Sequence, residues 1–273
     1  MASIKNEALK GVLSVKRKEF ITPHYIRVVL EGEDVSQFAD TTVGVNNKIL
    51  IPPEGTGEIH FPVYDREENR WIHPEAHLRP IVRTYTHRGI DLEKQEMIID
   101  FAYHGDSGPA SRWAGNAKVG DKLGILMKAG KKELFPLADW YLLVGDMTAI
   151  PVLGAILERL PATAKVMALL EVPGREDEQE LYTPARLEIH WVHNSFPEKG
   201  GMLADAVKKV QMPETGTKFA YVAAEFSAVK EIRRFLRKDL GWNTDELYAY
   251  SYWKAGMAED QSVTDRQQEK SSV

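Results

Sequence analysis

The chain changes rhythm once, near Phe135-Pro136, and that change restricts it to a fold in two parts. Before it, apolar residues fall in short, β-branched runs at 10–18, 25–31, 47–51, 81–86, 97–103 and 122–127. Turn signals such as Pro52-Pro53 and Gly120-Asp121 bound these runs. About six strands at this spacing predict a small antiparallel β-barrel, interrupted by one helix near 107–116. After it, strand runs at 140–145, 165–172, 187–193, 219–224 and 248–253 alternate with helical stretches at 150–160, 202–210 and 228–240. That alternation predicts a mostly parallel sheet covered on both faces. The predicted fold class is therefore β plus α/β: an N-terminal antiparallel β-barrel over 1–136 and an α/β sheet domain over 137–257. A polar tail over 258–273 is expected to be disordered.

Composition narrows the chemistry. Lys+Arg 35 against Asp+Glu 40 leaves a net charge of -5, which argues against a nucleic-acid partner. The basic residues of the 228–240 helix (Lys230, Arg233, Arg234, Arg237, Lys238) then read as a solvated face. No apolar run reaches the roughly 20 residues that cross a bilayer, and Met-Ala-Ser-Ile-Lys-Asn-Glu has no apolar signal core. The expectation is a cytoplasmic monomer with no membrane partner. Cys 0 removes disulfides, thiol nucleophiles and cysteine-ligated zinc or iron–sulfur centres, so any redox chemistry calls for an organic cofactor. The closest histidine pairs give no metal site. Pro74 interrupts His73/His77, and strand alternation sends His190 and His193 to opposite faces.

Two motifs in the first part suit a flavin nucleotide. In Arg83-Thr84-Tyr85-Thr86-His87-Arg88, alternation places Arg83, Tyr85 and His87 on one face and Thr84, Thr86 and Arg88 on the other. A ring can stack on Tyr85, a guanidinium can pair with phosphate, and a Thr can hydrogen-bond the ring edge. The same residues would also serve as an edge strand with a solvated Arg–Tyr ladder. In His104-Gly105-Asp106-Ser107-Gly108-Pro109-Ala110-Ser111-Arg112-Trp113, small residues lead into a helix whose free N–H groups favour a phosphate. A plain helix cap with Trp113 in the core is the competing reading.

Together these residues resemble the siderophore-interacting protein family, whose members are NAD(P)H-dependent, FAD-containing ferric-siderophore reductases built like ferredoxin reductases. Three further pieces follow in order: Val144-Gly145-Asp146-Met147-Thr148-Ala149-Ile150-Pro151, then Ala223-Ala224-Glu225-Phe226-Ser227-Ala228-Val229, then Tyr252-Trp253-Lys254-Ala255-Gly256. The chain departs from the family at Ala129-Gly130, where a Gly-Pro is usual. The resemblance implies that Arg83, Thr84, Tyr85, Thr86 and Arg88 hold non-covalent FAD. Gly108, Pro109, Ala110 and Ser111 would lie around its pyrophosphate, with His104 close by. It further implies that Asp146, Thr148, Ala149, Glu225, Tyr252 and Trp253 meet NADH or NADPH, or the flavin face. Thr148 reads as the N-cap of the helix that follows.

Basic residues that resemblance places comparably, Lys48 and Lys254, are expected to steer an anionic ferric siderophore. Electron transfer requires no acid–base residue, and none is assigned. The donor stays open, since Glu171 suits an unphosphorylated ribose and the nearby Arg175 suits a phosphorylated one. Two other functions compete with the reductase. One is a general NAD(P)H–flavin oxidoreductase acting on quinones or free flavin; the other is a siderophore-binding protein that carries FAD.

Overall fold

The computed structural model describes residues 8–65, 67–199 and 201–271. It divides into two compact units, Met1–Lys132 and Glu133–Val273, so the change of unit falls slightly before Pro136.

The first unit holds β1 (Ala8–Thr22), β2 (Tyr25–Glu31), β3 (Asn46–Ile51), a small hairpin of β4 (Val63–Asp65) and β5 (Arg70–Ile72), then β6 (Ile81–Thr86), β7 (Gly89–Asp91), β8 (Glu96–Ala102), helix α1 (Pro109–Asn116) and β9 (Lys122–Lys128). All but the hairpin join one antiparallel sheet in the order β6-β3-β9-β1-β2-β8-β7. Its two outer strands share no ladder, so the barrel is a half-barrel. The curl is visible in one contact: Tyr85 on β6 packs 4.6 Å, centroid to centroid, from Phe101 on β8 near the other edge. Inside the curl lie Leu13, Ile26, Val28, Ile49, Ile99, Phe101, Leu123 and Ile125, every one below 2% exposed. Each such side chain removed from water contributes about 1.5–3 kcal/mol.

The second unit holds β10 (Trp140–Asp146), α2 (Ile150–Leu157), β11 (Lys165–Val172), β12 (Arg186–His193), α3 (Met202–Lys208), β13 (Lys218–Glu225), α4 (Phe226–Arg234), β14 (Leu247–Trp253) and α5 (Glu259–Ser271). The strands are all parallel, in the order β12-β11-β10-β13-β14. Central strands buried on both faces account for the continuous apolar run Tyr141-Leu142-Leu143-Val144. Gly145 lets α2 dock: a Cβ there would lie 2.6 Å from the Ala149 Cβ and 2.9 Å from the Ala223 carbonyl oxygen.

Three local expectations change. The 259–271 segment is a helix, α5, where polar composition predicts disorder. Gln, Glu and Arg are good helix formers, and buried Ser262 and the paired Asp265 tie the helix down. The 228–240 helix is α only to Arg234 and widens to π geometry over Phe235–Asp239 before Gly241, at φ +69°, ends it. On that helix Arg233 is not solvated: it is 3% exposed and donates from Nη2 to the Ala249 carbonyl. Among the described residues no helix is long and apolar enough to cross a membrane.

Candidate functional site

In the first unit, antiparallel pairing sets β6 against β3 with Lys48 opposite Thr84 and Asn47 opposite Tyr85. Residues opposite one another share a face, so Tyr85 and Arg83 lie on the side of Ile49, and Thr84 on the side of Lys48. Lys48 donates from Nζ to the Thr84 hydroxyl at 2.5 Å, and Arg83 donates from Nη1 to the Val82 carbonyl at 2.7 Å. Phe101 lies 4.6 Å from Tyr85 and 5.7 Å from Trp113 on α1, so a row of three rings joins the two flavin motifs.

The first turn of α1 is uncapped by any side chain. Gly108 is its N-cap, and Pro109 fills the first turn. A Cβ on Gly108 would come 3.0 Å from His104 Cε1, so the glycine lets the His104 ring pack close against the start of the helix. The loop before it is pinned internally. Ser111 accepts from the His104 N–H at 3.0 Å and donates to the Gly105 carbonyl at 2.7 Å, while His104 Nδ1 pairs with the Ser107 hydroxyl at 2.6 Å. The Ser111 hydroxyl thus shapes the loop.

Arg88 has a partner that sequence reasoning missed. Its Nε lies 3.6 Å from Asp100, a buried carboxylate that also takes a bidentate pair from Arg27, at 2.8 Å twice, and the Tyr25 hydroxyl at 3.0 Å. Burial and the Asp100 charge push the Tyr25 phenol well above its ordinary range. Two buried polar side chains lie on this same part of the sheet. Asn47 is 2% exposed and His87 fully buried, with no hydrogen bond to the amide atoms of one or the ring nitrogens of the other. Burial lowers the His87 imidazole to about 4.

In the second unit, the carboxyl ends of adjacent strands bring three carboxylates together, where open α/β sheets take ligands. Register sets Asp146 beside Glu171, and Glu225 ends β13. Asp146 accepts from the Thr148 N–H at 2.9 Å, its hydroxyl at 2.5 Å, and the Trp253 indole at 2.7 Å. Glu225 caps α4 by accepting from the Ser227 N–H at 2.5 Å and its hydroxyl, and it accepts from the Ala255 N–H at 3.2 Å. Burial raises the Asp146 carboxyl. Glu171, bonded by Asn194 at 3.1 Å, rises to about 7 through burial and the charges of Asp146 and Glu225. Among the described residues no group of three or more His, Asp or Glu could hold a metal ion.

Ala149, rather than Thr148, is the N-cap of α2; the Thr148 hydroxyl is committed to Asp146 instead. Ala149 is fully buried against the sheet, so only its backbone faces the loop. Tyr252 turns toward Tyr221, hydroxyl to hydroxyl at 3.5 Å, and burial pushes its phenol up. Lys254 lies 2.5 Å from Asp265 on α5 and 4.8 Å from the Phe226 ring centroid.

Residues 14–131 match the siderophore-interacting FAD-binding domain, and residues 138–256 match the siderophore-interacting protein domain. The chain belongs to the siderophore-interacting protein family. It is 33% identical over 250 residues to the ferric vibriobactin reductase ViuB of Vibrio cholerae serotype O1, covering 91% of each chain. It matches the crystal structure of the siderophore-interacting protein SipS from Aeromonas hydrophila with a TM-score of 0.80 and 31% identity, over 97% of this chain and 98% of that one. A ferredoxin NADP+ reductase from Neisseria gonorrhoeae, at 14% identity and a TM-score of 0.58 over 90% of this chain and 99% of that one, shares the fold. The chain is thus a homologue of a ferric-siderophore reductase, with an FAD-binding domain on a ferredoxin-reductase-like fold.

Proposed function

We propose that this protein reduces ferric siderophores in the cytoplasm as a monomer, taking electrons from NADH or NADPH through non-covalently bound FAD and releasing Fe(II). The observation that carries this reading is the ring row Tyr85–Phe101–Trp113, which unites a stacking face and an open helix start on one domain. The residues fit FAD: the first turn of α1, left uncapped by any side chain, has N–H groups available for a pyrophosphate, and Gly108 lets His104 lie close beside it. When bound, FAD supplies the conversion from a two-electron donor to one-electron delivery.

Each residue has a definable task. Tyr85 offers its ring, Arg83 its guanidinium for phosphate, and Thr84 and Thr86 their hydroxyls and backbone for the ring edge. Arg88 is held by Asp100 and fixes the end of β6. The Pro109, Ala110 and Ser111 turn, with His104 beside it, receives the pyrophosphate. In the second unit Asp146, Thr148, Ala149, Glu225, Tyr252 and Trp253 form the surface for the nicotinamide nucleotide, stiffened by the Trp253–Asp146 bond. Lys48 and Lys254 supply positive charge for an anionic chelate, which needs only to be brought near and not to be protonated.

The test is spectroscopic and anaerobic. NADH or NADPH added to the FAD-loaded protein is expected to bleach the flavin absorbance. A ferric siderophore is then expected to restore it, with a ferrous signal in a chelator trap. A flavin that bleaches but is not reoxidised by the chelate would point to another acceptor. One that neither nucleotide bleaches would leave a siderophore-binding protein.

A further inference from the structure

Lys254 follows the last residue of β14, and its ammonium is occupied. The Asp265 carboxylate lies 2.5 Å away and the Phe226 ring 4.8 Å below. Asp265 belongs to α5, which lies outside the family match ending at residue 256. Apart from Val263 the helix sequence Glu-Asp-Gln-Ser-Val-Thr-Asp-Arg-Gln-Gln-Glu-Lys-Ser is polar. The pair itself is solvent-facing, with 28% of the Lys254 side chain and 41% of the Asp265 side chain exposed. Such a pair is worth little in isolation. It persists because a carboxylate tethered eleven residues from its cation acts at high effective concentration.

We propose that Asp265 is a built-in competitor of the substrate: α5 seats a carboxylate on Lys254, and an anionic ferric chelate must displace it to reach that ammonium. This rests on the reading of Lys254 as a siderophore-binding residue. An arrangement of this kind selects for ligands with several clustered anionic oxygens, which outbid a single carboxylate. It disfavours small monoanions and leaves the binding of neutral chelates unchanged. The helix is polar in sequence but for Val263, so releasing it is expected to be fast compared with unfolding.

The experiment compares the full-length, FAD-loaded protein with Asp265→Asn, which keeps the shape and removes the charge. The probes are the gallium(III) and iron(III) complexes of a tris-catecholate siderophore. Gallium binding, read by quenching of tryptophan fluorescence at low salt, is expected to tighten about two- to five-fold in Asp265→Asn. The KM for the iron complex should fall by the same factor, with kcat and the rate of flavin bleaching by the nicotinamide nucleotide unchanged. The gain should vanish in the Lys254→Gln background and for a neutral hydroxamate chelate. Equal gallium affinities in the two proteins would overturn the proposal, as would an equal gain in the Lys254→Gln background. If the wild type binds the gallium complex but reduces no ferric chelate, the reductase reading fails while the gallium titration still decides the role of Asp265. If neither protein binds it, both readings fall.

Discussion

Trp253 donates its indole N–H to Asp146 at 2.7 Å, and this bond joins residues 107 positions apart on two strands of one sheet that are not neighbours. It crosses the end of β13, which lies between them, so the carboxyl ends of three strands move together.

Trp253→Phe keeps the ring and deletes the donor. The buried Asp146 then loses one of its partners, at a cost of about 1–3 kcal/mol. The urea midpoint is expected to drop accordingly. Flavin bleaching by the nicotinamide nucleotide should slow while dithionite bleaching stays normal; an unchanged nucleotide rate would remove this strand end from the nucleotide surface.

Asp100→Asn should cost a comparable amount. It takes the charge away from Arg27 and Arg88 together and weakens the acceptor of the Tyr25 hydroxyl. Removing one partner from a buried ionic network costs about 3–5 kcal/mol, and roughly half of that applies here because Arg27 reaches solvent. Equilibrium denaturation measures the loss. FAD retention on gel filtration should fall with it, since Arg88 lies just beyond the strand that carries Tyr85.

Arg83→Ala is expected to weaken FAD without unfolding the sheet. A charge-assisted contact to phosphate is worth about 1.5–3 kcal/mol, or roughly a 10- to 100-fold rise in Kd. Titration of the apoprotein with FAD, followed by flavin fluorescence, reads this directly. A variant that purifies with its full yellow complement would exclude Arg83 from the cofactor site.

His87 makes stability fall in acid. Its folded value of about 4 lies below the ordinary 6.5, so between those limits the unfolded chain binds the proton that the folded chain refuses. Stability is therefore full above about pH 6.5 and declines as pH falls toward 4, by up to about 3 kcal/mol. His87→Leu removes this slope and two unpartnered ring nitrogens, so its denaturation midpoint should exceed that of the wild type at pH 5.

Glu171 works with the opposite sign. Its carboxyl is raised from 4.5 to about 7, so between these values the folded protein holds a proton that the unfolded chain has released. Stability from this group is present below about pH 4.5 and is lost as pH rises through 7. Glu171→Gln should be more stable than the wild type at pH 8 and nearly equal to it at pH 4.5, as judged by thermal unfolding. Equal midpoints at pH 8 would show that this carboxylate is ionised at little cost.

The fold was largely legible because its strands are written locally. Runs such as Tyr25–Glu31 and Trp140–Asp146 carry both their type and their ends. The two motifs that suit a flavin stand out in the sequence by their chemistry, a ring with a cation and a glycine before a helix. What could not be read depends on partners far apart in the chain. Asp100 finds Arg27 across 73 positions, and no local pattern marks it as the anchor of Arg88. The curl of the half-barrel rests on Tyr85 meeting Phe101, and α5 is held by Lys254, which its own composition does not reveal. Thr148 looked like a cap because its type suits one; the competing acceptor, Asp146, sits two residues earlier and takes the hydroxyl.

The strand that carries Arg83 to Thr86 is the outermost of its sheet, bonded to β3 on one side and to no other strand among the described residues. An outer strand is ordinarily a hazard, because its free backbone invites another chain to add on. If FAD sits on this strand as proposed, the same opening would let main chain as well as side chains grip the cofactor, and the bound cofactor would shield the strand. Protein stripped of FAD would then carry the strand uncovered, with Ile81 already 38% exposed at its start. Loss of the flavin would cost solubility as well as colour.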